Sequence, residues 1–85
     1  MIVHLSDERF RRLIEEMEQD PKGYGRVDME RVLQRIGYTR HQYEGHDIYL
    51  RQGCRPFHLR TTQADVPEGE VLALARVAMT VLGGS

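Results

Sequence analysis

Apolar residues in the first part of the chain recur at helical spacing. Phe10, Leu13, Ile14 and Met17 fall at i, i+3, i+4 and i+7, one apolar stripe on an otherwise charged segment. Ser6 is a good N-cap for this helix, and Asp7 and Glu8 follow it in the first turn, where the helix dipole favours anions. Asp20-Pro21 ends the helix, and Lys22-Gly23-Tyr24-Gly25 reads as a connector. A second stripe, Met29, Val32, Leu33 and Ile36, predicts a helix capped by Asp28. Gly37 is placed as its left-handed stop, and Glu30, Arg31 and Arg35 fall on the outward side.

The period then changes to two. Tyr38 to Tyr43 reads as a strand, Glu44-Gly45 as a turn, and His46 to Gln52 as a second strand. Gly53-Cys54-Arg55-Pro56 is a loop, and Phe57 to Thr61 a third strand. Alternation puts Ile48, Leu50, Phe57 and Leu59 on one face, the face expected to meet the helices. Asp47, Tyr49, Arg51, His58 and Arg60 are then expected on the opposite, wet face. By the same parity His46 shares its side with Ile48 and Leu50, at the rim of the helix-covered face unless a bulge re-aims it.

Pro67 opens a last helix with Glu68 and Glu70 in its first turn. From Val71 to Leu82 that helix is apolar on nearly all sides, broken only by Arg76 and Thr80, before Gly83-Gly84. An 85-residue domain has difficulty wrapping such a helix completely, so the Val71–Leu82 face is an expected site of association, with a second copy among the partners. The element order is helix, helix, three antiparallel strands, helix. This predicts a two-layer α+β fold with the helices on one face of the sheet, in a single domain spanning residues 1–85.

Composition narrows the function classes. A core this small leaves no room for a large enclosed cofactor cavity, so no cofactor is expected, and a shallow surface site or a partner face fits better. The formal net charge is −1, which argues against binding nucleic acid by bulk charge. The cations are eleven Arg and one Lys, and Arg supplies the planar fork that suits phosphates and carboxylates. Cys54 is the single cysteine, so no disulfide framework exists and a reducing cytoplasm is the expected location. No apolar run reaches membrane-spanning length.

Several segments, taken in order, resemble the HicA (YcfA-like) family of small mRNA-cleaving toxins. Asp20-Pro21-Lys22 resembles the connector after that family's first helix, and Val27 to Tyr38 its amphipathic helix ending in Gly-aromatic. Gly45-His46-Asp47-Ile48-Tyr49 resembles its Gly-x-His-x-apolar-aromatic segment, and Val66-Pro67-Glu68-Gly69-Glu70-Val71-Leu72 the loop that opens its last helix. The likeness runs from about Ser6 to Leu82. Each motif is short, and their order and spacing carry the resemblance. There are departures: Gly45 stands directly before His46, Arg51-Gln52 replaces a His-Pro, and Arg60 to Asp65 lacks a basic cluster. The resemblance implies a double-stranded-RNA-binding-domain-like fold, metal-independent cleavage of mRNA, and neutralisation by a HicB-like antitoxin protein. It also implies that His46 is the catalytic residue.

Imidazole is suited to that work, because it ordinarily titrates near neutral pH and serves as base for a ribose 2′-OH or acid for a leaving 5′-oxygen. The alternative for His46 is a side chain packed at a strand start and bonded to a carbonyl. Arg51 and Arg60 are candidate phosphate contacts, and Tyr49 and His58 candidate partner contacts on the same expected face. Arg40 on the first strand is a further candidate nucleic-acid contact. A solvated face is the alternative for all of these. His41, His46, Cys54 and His58 match no zinc-ligand spacing, so no metal site is expected. Besides a ribonuclease, the same scaffold fits a non-catalytic RNA- or protein-binding module.

Overall fold

The computed structural model describes residues 7–60 and 65–83. The order is α1 (Asp7–Gln19), α2 (Arg26–Arg35), β1 (Thr39–Tyr43), β2 (His46–Leu50), β3 (Phe57–Arg60) and α3 (Glu68–Gly83). The strands form one antiparallel sheet in the order β1-β2-β3. The fold is the expected α+β arrangement of helix, helix, three antiparallel strands and helix. No helix among the described residues is long and apolar enough to cross a membrane.

The helical stripes bury as their spacing requires. Phe10, Ile14 and Met17 from α1, Met29, Val32 and Leu33 from α2, and Val71, Leu74, Ala75 and Ala78 from α3 share one core. α1 packs on α3, and α3 also meets α2. Ser6, the expected cap of α1, lies outside the described residues. The start of α2 differs from expectation. Gly25 is the N-cap, and Asp28, three residues in, accepts the Gly25 N–H through its carboxylate at 3.0 Å. Asp28 therefore satisfies an orphan donor from inside the first turn rather than from the cap itself. The end of α2 is the one read from the sequence. Gly37 has φ +94°, its N–H donates to Gln34 O at 3.1 Å, and the Tyr38 N–H donates to Leu33 O at 2.9 Å. This is the paired hydrogen-bond pattern of a Schellman stop, and it buries Tyr38 beside Leu33.

β1 and β2 join through a two-residue turn with Tyr43 opposite His46. Glu44 and Gly45 both have positive φ, +32° and +83°, as the tight hairpin that matches strand twist demands. Gly45 thus has a local backbone reason to be glycine. β2 and β3 pair with Asp47 opposite Leu59, Tyr49 opposite Phe57, Ile48 opposite His58 and His46 opposite Arg60.

This register corrects the expected faces of β2. Asp47 and Tyr49, expected on the wet side, are fully buried with Phe57 and Leu59 against the helices. Ile48 and Leu50, expected inside, lie with His46 on the open side, and Leu50 is 45% exposed. A polar network explains the reversal. Arg26 of α2 pairs with Asp47 through Nη2 and with Glu30 through Nη1 at 3.5 Å, and the Tyr49 hydroxyl donates to Glu30 Oε2 at 2.9 Å. Glu30 is therefore half-buried and turned inward, not outward. The phenol is satisfied by α2. The carboxylate is paired with Arg26 through Oδ2, while its Oδ1 has no hydrogen bond, only Arg40 Nε at 3.4 Å. The inner face accepts both through α2 and this ion pairing.

α3 is partly covered: Val71, Leu74, Ala75 and Ala78 are buried, while the rest of its apolar side chains are only half-buried. Ala73, Val77, Met79, Val81 and Leu82 are half-buried and packed against the core. The exposed large apolar side chains among the described residues are Val27, Tyr43 and Leu50, none of them on α3.

Candidate functional site

Sheet parity decides what the open face presents. On β2 and β3 the outward positions are His46, Ile48, Leu50, His58 and Arg60. β1 adds Thr39, His41 and Tyr43, which stand opposite Leu50, Ile48 and His46. His46 therefore needs no bulge to reach solvent. It is exposed at the first position of β2, immediately after the hairpin.

An open groove of about 330 Å3 lies where this face meets the start of α3. Its sheet wall is His46, His58, Leu59 and Arg60, and its other wall is Val66, Pro67 and Glu70. Two contacts hold the second wall in place. Asp65 bridges to Gly25, and the Val66 N–H donates to Tyr24 O at 3.1 Å, so the connector before α2 fixes the approach to α3. The Pro67 carbonyl then accepts from Glu70 and Val71, which starts the helix at that point. Glu70 would put a negative charge on the groove, but Arg55 pairs with it at 2.9 Å. Arg55 is held over the Phe57 ring at 4.8 Å. Arg60 adds a guanidinium to the sheet wall, opposite His46.

The other residues expected to contact nucleic acid or a partner are placed elsewhere. Arg40 is on the helix side of β1, with Nε 3.4 Å from Asp47 Oδ1. Arg51 lies beyond the end of β2, its Nη1 donating to Cys54 Sγ at 3.0 Å. It folds back over Gly37, where an added Cβ would come 3.2 Å from Arg51 Nε. Tyr49, expected as a partner contact, is inside, and burial followed by its bond to Glu30 pushes its hydroxyl up to about 12, against the lowering pull of Arg26 and Arg40. Tyr38 is also pushed up to about 12, first by burial and then by Cys54. Its hydroxyl donates to Arg55 O at 2.7 Å, so it braces the loop that carries Arg55.

Of the expected site residues, His46, His58 and Arg60 come together in the groove. Arg40, Arg51 and Tyr49 do not. Val66, Pro67 and Glu70 were not expected to share a site with His46. They are about 20 residues away in sequence, and the Asp65–Gly25 bridge and the Val66–Tyr24 hydrogen bond help to place them there. Among the described residues, no group of three His, Cys, Asp or Glu side chains is placed to hold a metal ion.

Fold and groove together define a small two-layer α+β domain with an imidazole-lined groove at the β3 edge of its sheet, where the open face meets the start of α3. Comparisons of the chain with protein-family models, curated proteins and solved structures found no match.

Proposed function

We propose that this protein is a HicA-like toxin, a ribonuclease that cleaves mRNA without a metal and uses His46 as an acid–base residue. The observation that carries the reading is the position of His46: exposed, on the wall of an open groove, and directly opposite Arg60. Directly opposed residues on one sheet face stand about 5 Å apart at Cβ, so the guanidinium puts positive charge beside the imidazole. His46 would exchange a proton with a ribose or leaving-group oxygen. The groove is shallow, as a site for a polymer needs to be. The order of motifs along the chain supports the same family, with a double-stranded-RNA-binding-domain-like fold, action in the cytoplasm and a HicB-like protein as neutralising partner.

A second reading is a non-catalytic binding module on the same scaffold. The net charge of −1 and two exposed apolar side chains on the open face, Tyr43 and Leu50 at opposite ends of the β1–β2 pair, favour a protein partner for it.

The deciding experiment compares wild type with His46→Ala, in growth on induced expression and in cleavage of mRNA by purified protein in EDTA. The exposed position predicts an unchanged fold by circular dichroism. The ribonuclease reading expects growth arrest and cleavage by wild type, and a loss of about 10²- to 10⁴-fold in the variant. RNA left intact by folded wild-type protein would leave only the binding module.

A further inference from the structure

One imidazole on an RNA-cleaving groove leaves half of the proton traffic unassigned. Strand cleavage at a ribose has two proton transfers: one away from the attacking 2′-oxygen and one onto the departing 5′-oxygen. β3 supplies a second imidazole on the same wall. His58 is exposed, faces the open side and lines the groove with His46. In the register His58 stands opposite Ile48, two positions along from His46, and Arg60 stands opposite His46. His46 and His58 are therefore diagonal neighbours on one face, a relation that places Cβ atoms about 7 Å apart. Hydrogen bonds from each imidazole of about 2.8 Å leave room for a phosphate between them.

We infer that His58 is the second acid–base residue of this groove, dividing with His46 the roles of base and acid. The inference rests on the ribonuclease reading of His46. In the reaction, one imidazole takes the proton of the 2′-OH, and the 2′-oxygen forms a bond to phosphorus. The P–O5′ bond breaks, and the other imidazolium gives its proton to the 5′-oxygen. The products are a 2′,3′-cyclic phosphate and a 5′-hydroxyl, with no water consumed and no electrons gained or lost. The two histidines end with exchanged protonation, which solvent resets.

Charged and titratable groups around the pair set the pH behaviour. Arg60 is on β3, Glu70 on α3 is paired with Arg55, and Tyr43 and His41 face the same side from β1. His41 stands on the far side of Ile48 and does not line the groove, so it is a matched comparison for His58.

The test measures kcat and KM against pH for a short oligoribonucleotide, with wild type, His46→Ala, His58→Ala and His41→Ala, each checked for fold by circular dichroism. Product ends are read by mass spectrometry. The expected result is a bell-shaped wild-type profile and cyclic-phosphate products. His58→Ala should lose about 10²- to 10⁴-fold in kcat with little change in KM, and one limb of the bell should disappear. If wild type and His58→Ala both cleave with bell-shaped profiles while His46→Ala is inactive, His58 is no acid–base residue and the His46 reading stands alone. His58 is likewise excluded if His58→Ala falls no further than His41→Ala, or if its loss is confined to KM. Folded wild-type protein that leaves the oligonucleotide intact overturns both readings together.

Discussion

Replacing Asp47 by Asn tests whether a buried ion pair fixes which side of β2 faces the helices. Asp47 is fully buried, and its partner Arg26 has only 19% of its side chain exposed. Removing one member of a buried pair typically costs about 3–5 kcal/mol, because the other charge stays desolvated. Two features of the network place this case at the low end. Arg26 keeps Glu30 at 3.5 Å, and the Asn side chain keeps the volume and one acceptor. Arg40, with 38% of its side chain exposed, can turn to water, so its pair with Asp47 adds at most about 1 kcal/mol. The expected loss is about 3 kcal/mol, a large part of the roughly 5–15 kcal/mol of a typical domain. For a domain of this size that lowers Tm by about 12–24 °C. Urea unfolding followed by circular dichroism measures it. The double variant Arg26→Met/Asp47→Leu, which removes both charges and keeps volume, is expected within about 1 kcal/mol of wild type. A loss below about 1 kcal/mol in Asp47→Asn would refute the reasoning, since β2 would then be held in place by its apolar contacts alone.

Two further outcomes are expected. Gly37→Ala should destabilise by about 1–2 kcal/mol in thermal melts, because φ +94° is strained for any L side chain and the new Cβ meets Arg51 Nε. Tyr38 and Tyr49 both hold their protons up to about pH 12 in the folded state, whereas an unfolded tyrosine releases its proton near pH 10. The folded chain thus binds more protons between those values, so this contribution to stability is complete below pH 10 and disappears as pH rises toward 12. Urea midpoints from pH 9 to 12 should fall steeply in wild type and less so in Tyr49→Phe. Equal slopes in the two proteins would contradict the burial argument.

Much of the fold is legible in local sequence. The stripes of α1 and α2 and the Gly37 stop depend on contacts within a turn or two of chain. The Glu44-Gly45 turn is similarly local, being set by the backbone angles of two residues. The faces of β2 were not legible. Asp47-Ile48-Tyr49-Leu50 alternates polar or amphipathic with aliphatic side chains, and counted by hydrophobicity it points Ile48 and Leu50 inward. The six residues between β2 and β3 leave the register open. What settles it lies 21 residues away, where Arg26 meets Asp47, and 19 away, where Glu30 receives the Tyr49 hydroxyl.

The groove divides in the same way. His46 was identifiable as a candidate from its place after the turn, and His58 and Arg60 from the third strand. The sequence by itself determined which elements form and which residue types they carry, because helical and strand periods, caps and tight turns are short-range. Only the tertiary structure decided that His46 faces water, that His58 and Arg60 stand beside it, and that Val66, Pro67 and Glu70 close the groove. Those placements depend on strand register and helix docking. Both are fixed by packing and buried polar pairs between residues distant along the chain.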